Sequence, residues 1–129
     1  MGYRIIEDGI GVSEAERLLK MTYWADRRST ETIEKSMRNS ACFGIRSDED
    51  GKLIGFARVV TDYATTWYLC DVIIDPEYRE QGLGKALVAY ITSKFSGLRG
   101  LLLTRDAHGL YAHDGFASAG DRAMTRSPG

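Results

Sequence analysis

The chain has 129 residues, 43% of them hydrophobic and 27% charged, which suits one soluble globular domain with its own core and leaves too little length for two. A net charge of −1 gives no general attraction to polyanions, so nucleic acid is not an expected partner. No apolar run approaches the roughly 20 residues of a membrane span. Met1 to Glu7 lacks the charged-then-apolar order of a secretion signal. No membrane partner is expected, and the expected location is the cytoplasm. Cys42 and Cys70 fall in apolar runs without metal-ligand spacing; they read as buried free thiols of a reducing compartment, and no metal site is expected.

The first strand is predicted over Tyr3 to Glu7 and ends at Gly9 and Gly11. Ser13, with Glu16 three residues on, reads as a capping box. Ala15, Leu18, Leu19 and Tyr23 then recur at helical spacing. A second box opens at Ser29 or Thr30, ahead of a short stripe of Ile33, Ser36 and Met37. From Ala41 the pattern becomes β. Cys42 to Ile45 is a strand, Asp48 to Gly51 a solvated acidic turn, and Lys52 to Thr61 the returning strand of an antiparallel hairpin. Gly55 inside that strand marks a bulge or a close backbone approach. Asp62 to Thr65 turns again, into an apolar strand from Trp67 to Ile74.

Asp75-Pro76 stops this strand, because proline lacks the amide proton a sheet ladder needs. A polar loop with Arg79, Gln81 and Gly82 follows, and then a helical pattern at Leu83, Leu87, Val88 and Ile91. A strand feeding a glycine loop and a helix start is suited to an anion. The first amides of a helix have no partner within it, and the dipole is positive there. Two familiar phosphate loops fail on spacing. A P-loop needs glycine where Arg79 stands and Ser or Thr where Ala86 stands. A dinucleotide fingerprint needs Gly or Ala where Leu87 stands.

The remaining pattern, Arg79-x-x-Gly82-x-Gly84, resembles the acyl-CoA loop of the GNAT superfamily of N-acetyltransferases. One departure is Glu80, where members often carry glycine. Further on, Leu101-Leu102-Leu103 reads as a strand parallel to Trp67–Ile74, reached by a right-handed crossover. Asp106 reads as the cap of a short helix from Ala107 to His113, stopped by Gly115. The run Asp106 to Phe116, with Tyr111 ahead of Gly115-Phe116, resembles the second GNAT signature. Ala123 to Thr125 is a candidate last strand. The resemblance covers about Lys52 to Phe116. It implies an α/β (α+β) fold with a mixed, mostly antiparallel central sheet, one parallel βαβ unit, a splayed strand pair and helices on both faces.

The same resemblance implies acetyl transfer from acetyl-CoA, as co-substrate, to a primary amine of a small molecule or peptide, by direct attack in a ternary complex. The cofactor is expected along Val72, Ile73 and Ile74 and across Arg79, Glu80, Gln81, Gly82, Leu83, Gly84 and Lys85. Charge-assisted hydrogen bonds contribute about 1.5–3 kcal/mol each, against about 0.3–1 kcal/mol for the helix dipole, so the individual donors dominate. Tyr111 is expected to protonate the leaving thiolate. Asp71 is a candidate base, with Tyr68 ordering a water, and reads equally as a structural carboxylate. Tyr23, Trp24 and Arg27 are candidates for the acceptor pocket, where aromatic faces could hold an amine cation. The same residues also fit a core with a surface arginine. His108 and His113, five apart, fall on different helix faces and do not pair as metal ligands. A non-catalytic acyl-CoA-binding module, or transfer of another acyl group, is the alternative on this fold. The chain is expected to be a monomer or a homodimer.

Overall fold

The computed structural model describes residues 2–128. Five strands form one sheet in chain order: β1 (Tyr3–Ile6), β2 (Ala41–Ser47), β3 (Leu53–Thr61), β4 (Thr66–Ile74) and β5 (Arg99–Leu102). Neighbours from β1 to β4 are antiparallel, and β5 joins β4 in parallel. Helices α1 (Val12–Leu19) and α2 (Thr30–Arg38) cover one face, while α3 (Leu83–Lys94) covers the other. This is the mixed fold with helices on both faces that the resemblance implies.

Each face has its own core. Phe43, Ile45, Ile54, Ala57, Val59, Trp67 and Leu69 meet Leu83, Leu87, Ile91 and Phe95 on the α3 side. Leu53, Phe56 and Ile73 meet Ala15, Leu18, Leu19 and Ile33 on the α1–α2 side. Burial of a large apolar side chain contributes about 1.5–3 kcal/mol, so the stripe Leu83, Leu87, Val88 and Ile91, all nearly inaccessible, is what clamps α3 to the sheet. The short helix α4 (His108–Ala112) joins this core through Tyr111.

The strand β4 changes face along its length. Val59 pairs with Leu69 but Arg58 pairs with Asp71, which leaves Cys70 as an extra residue. Trp67 and Leu69 therefore point to the α3 core, and Ile73 to the α1–α2 core. Strict alternation would have put all three on one side. A bulge of this kind also sharpens the local twist.

Three local expectations change. Helix α1 starts at Val12 with Gly11 as its cap, two residues ahead of the expected Ser13 cap. Glu14 accepts from the Gly11 amide at 3.0 Å and is held there by Arg46, whose guanidinium reaches both its oxygens at 2.7 and 2.9 Å. A tertiary ion pair thus overrides the local cap. Asp106 does not cap α4; Thr104 Oγ1 accepts from the Ala107 amide instead, at 3.1 Å. Ala123 to Thr125 forms no strand. The tail makes one 3₁₀ turn at Gly120–Arg122, and β5 is left as the sheet edge. By contrast α2 is capped as expected, Ser29 Oγ accepting from the Thr32 amide at 3.1 Å.

Hydrogen bonds from Arg46, then from the Gly11 amide, pull Glu14 down from 4.5 to about 2. A depressed carboxylate stabilises the fold above its unfolded pKa and loses that contribution as pH falls through the folded one. Denaturation midpoints measured from pH 5 to pH 2 should therefore fall across the window from about 4.5 to about 2. Glu14→Gln should lower the midpoint at pH 6 and flatten that fall.

Candidate active site

The parallel pair β4–β5 is short. Thr66 to Leu69 pairs with Arg99 to Leu102, and there β5 ends, while β4 runs on to Ile74. The side of Cys70–Ile74 that faces β5 therefore has no strand beside it, directly after the bulge that twists β4 away. This is the splay expected from the resemblance. Tight packing holds the closed end: Gly100 lies opposite Trp67, and a Cβ there would sit 2.7 Å from the indole. At the open end Val72 and Ile74 turn their side chains to the α3 core, while Ile73 is buried on the other face. The Asp75 amide donates to the Ile54 carbonyl on β3 at 2.8 Å, so by alternation Val72 and Ile74 carry their backbone groups along the free edge while those of Ile73 face β3. The only group drawn to the Ile74 carbonyl from the loop is Arg79 Nε, at 3.4 Å.

After Ile74 the chain turns in two steps. Asp75, itself buried, accepts from the Glu77 amide at 3.0 Å and from Arg17 at 3.0 Å, anchoring a 3₁₀ turn at Pro76–Tyr78. Glu80 then adopts φ +65° and Gly82 φ +77°. The left-handed Glu80 gives a physical reason for the glycine that family members often carry there. Helix α3 begins at Leu83, and the first amide bonded back is Ala86, to the Gly82 carbonyl at 3.0 Å. The amides of Leu83, Gly84 and Lys85 have no partner within the helix. No acidic residue lies in that first turn. Arg79, Glu80, Gln81, Gly82 and Lys85 are exposed, and a Cβ on Gly82 would meet nothing within 4 Å. Leu83 is buried, so only its backbone is available. A polyanion can approach this turn without displacing a side chain, and Glu80 is its one exposed carboxylate.

Asp71 lies on the opposite face, 1% exposed. Its Oδ2 accepts from Arg28 Nη1 at 3.0 Å and from Arg58 Nε at 2.9 Å. Arg58 also donates to Ser40 Oγ at 3.1 Å. Burial alone would raise the Asp71 pKa, but the two guanidiniums outweigh it and hold the group below the usual carboxylate range. A carboxylate held this way is a poorer proton acceptor than a free one. Arg28 and Arg58 carry no motif in the sequence. Register counting from the Asp62 turn would have placed Arg58 opposite Cys70, because the bulge is invisible in the residue order. Tyr68 shares this face by alternation with Trp67 and Leu69, and burial pushes its hydroxyl up.

Tyr111 is half-buried and meets Phe116 edge-on with ring centres 6.1 Å apart. Burial first, then the nearby Asp106 charge, raises its pKa, so the hydroxyl keeps its proton at neutral pH. Gly115, at φ +89°, turns the chain so that Phe116 can pack on Trp67, at 5.6 Å. Tyr111 therefore belongs to the α3 side of the sheet, with Val72 and Ile74, while Asp71 belongs to the α1–α2 side. Tyr23, Trp24 and Arg27 sit in the α1–α2 loop and are exposed, at 69% and 46% for the two aromatics. They are not core residues. Arg28, one residue on, ties that loop to Asp71.

The description "Acetyltransferase (GNAT) family" matches residues 11–116. The chain belongs to the GNAT acetyltransferase family. A GNAT-family protein from Xanthomonas campestris pv. campestris is 35% identical, with 98% of this chain and 94% of that one superposed at a TM-score of 0.89. GCN5-related N-acetyltransferase 2, chloroplastic, of Arabidopsis thaliana is 55% identical over a 63-residue alignment that covers 44% of this chain. The match spans only 24% of that protein's length. N-acetylglutamate synthase from Neisseria gonorrhoeae, complexed with coenzyme A and N-acetyl-glutamate, shares the GNAT fold at a TM-score of 0.76 and 21% identity, over 96% of this chain and 30% of that one. Among the described residues no helix is long and apolar enough to cross a membrane.

The GNAT turn predicts one stability effect. A left-handed non-glycine residue costs about 1–2 kcal/mol, and glycine loses about 0.5–1 kcal/mol of chain entropy in exchange. Glu80→Gly should therefore leave stability unchanged or raise it by up to about 1 kcal/mol, read from urea unfolding.

Proposed function

We propose that this GNAT chain is an N-acetyltransferase that carries the acetyl group of acetyl-CoA to a primary amine, by direct attack while both substrates are bound. The observation that carries this reading is the unpaired β4 edge at Cys70–Ile74 leading directly into the bare amides at Leu83–Lys85. The pyrophosphate suits those amides and Arg79. The peptide-like pantetheine arm suits the strand edge, as an added strand would. The relative that binds coenzyme A on the same fold supports the choice of donor. The free thiols of Cys42 and Cys70 support the cytoplasm as a reducing location.

In this mechanism the amine lone pair attacks the thioester carbonyl carbon, the new C–N bond forms, the C–S bond breaks, and the nitrogen releases its surplus proton to water to leave the neutral amide. Sulfur leaves with the electron pair. Tyr111 then supplies the proton, since its raised pKa keeps the hydroxyl protonated while a thiolate, of reference pKa about 8.5, is being formed. A lysine-like amine of pKa about 10.4 is neutral in fewer than about one molecule in a thousand at pH 7, so its proton must be lost first. We assign that loss to water beside Tyr68. Asp71 acts as a positioning residue: its shared oxygen holds Arg28, and with it the α1–α2 loop, against β4.

Release of free thiol from acetyl-CoA with a panel of amines tests the assignment. Tight coenzyme A binding without turnover on any amine would convert it to a binding module. Tyr111→Phe should lower kcat about 100-fold, the lower range of general acid catalysis, with little change in the KM for acetyl-CoA. Asp71→Asn should cost about 3 kcal/mol in stability by leaving two guanidiniums without a charged partner. Its activity loss should track that unfolding and should show no shift in the pH–rate profile; full stability with a displaced profile would instead make Asp71 the base.

A further inference from the structure

Two loops meet beside Asp71. The Arg105 guanidinium carbon, on the β5–α4 loop, lies 5.8 Å from the centre of the Tyr23 ring on the α1–α2 loop. Tyr23 in turn meets Trp24 edge-on, with ring centres 5.2 Å apart. A ring face covered by the protein's own guanidinium is not available to a second cation. One face of Tyr23 is thus taken by Arg105.

By sequence the two loops carry Lys20, Arg27, Arg28 and Arg105 against Asp26 and Asp106. Lys20 spends its ammonium on two backbone carbonyls, those of Asp26 and Arg28. Arg28 and Arg58 share the single Asp71 carboxylate. Among the described residues neither Arg27 nor Arg105 takes part in an ion pair. Both are exposed, as are Met21, Tyr23 and Trp24 of the α1–α2 loop. A planar guanidinium beside apolar surface is the group best suited to a carboxylate, which it can grip with two parallel donors.

We propose that these loops select an acceptor that carries a carboxylate together with its amine and an apolar side chain, an amino-acid-like acceptor. Arg105 and Arg27 hold the carboxylate, and Trp24 and Met21 flank the apolar part. The proposal rests on the transferase reading above.

Three probes share one amine and one ring and differ in a single group: L-phenylalanine, L-phenylalaninamide and phenethylamine. Each is titrated into the whole chain, with and without saturating coenzyme A, and followed by tryptophan fluorescence, Trp24 being exposed and Trp67 buried. L-phenylalanine should bind about 10-fold tighter than either of the others, and the preference should weaken with salt. Arg27→Gln with Arg105→Gln, both on exposed loop positions, should bring the three affinities within about twofold. Equal or tighter binding of the amide or of phenethylamine overturns the proposal, as does a carboxylate preference that survives both substitutions. The readout is binding rather than turnover. Failure of coenzyme A to bind would overturn the transferase reading while the carboxylate preference is still measured in the coenzyme-free arm.

Discussion

Between the pairs Val59–Leu69 and Arg58–Asp71 the β3–β4 ladder skips Cys70, and the geometry of the site follows from that extra residue. Before it, β4 sends Trp67 and Leu69 into the α3 core and pairs with β5. After it, the strand buries Asp71 and Ile73 on the opposite side and has no neighbour toward β5. The bulge therefore does two things at once. It opens one sheet edge, and it aims a carboxylate at the face covered by α1 and α2. Were β4 regular, Arg58 would lie opposite Cys70, and Asp71 would share a face with Leu69.

The open edge would have little use without the turn that follows. Asp75, pinned by the Glu77 amide and Arg17, fixes where the strand stops. Two left-handed residues, Glu80 and Gly82, then bring the chain around sharply enough for α3 to begin with its first amides exposed. The stripe from Leu83 to Ile91 holds the helix down, so these donors are fixed before any ligand arrives. Donors that need no reorganisation bind an anion at lower entropic cost than mobile lysines would.

Charge is sorted by face. On the α3 side the site is built of backbone amides, Arg79 and the neutral hydroxyl of Tyr111. The α1–α2 side carries two guanidiniums, Arg28 and Arg58, around one carboxylate. Arg28 links that cluster to the loop bearing Tyr23 and Trp24, and Arg105 reaches the same loop from beyond β5. The α1–α2 side is thus assembled by long-range ion pairs and a ring contact, whereas the turn ahead of α3 is assembled by consecutive residues.

That difference decides what could be read without coordinates. Strand, proline stop, glycine turn and helix are consecutive from Trp67 to Ile91, and each has a local cause, so the turn, the parallel crossover and the family membership they point to were all legible. The Ser29 cap was legible for the same reason. The Ser13 and Asp106 caps were misread because Glu14 answers to Arg46, 32 residues away, and because Thr104 reaches the Ala107 amide first. The candidate strand at Ala123 to Thr125 had the composition of a strand and no neighbour to pair with. Sequence by itself determined the order of elements and the glycine turn ahead of α3, since backbone conformation over a few residues follows from their own side chains. Only the tertiary structure decided which face Asp71 looks to, that two arginines hold it, and that Arg105 covers Tyr23, because a one-residue bulge reverses every side chain beyond it and leaves no mark in the order of residues.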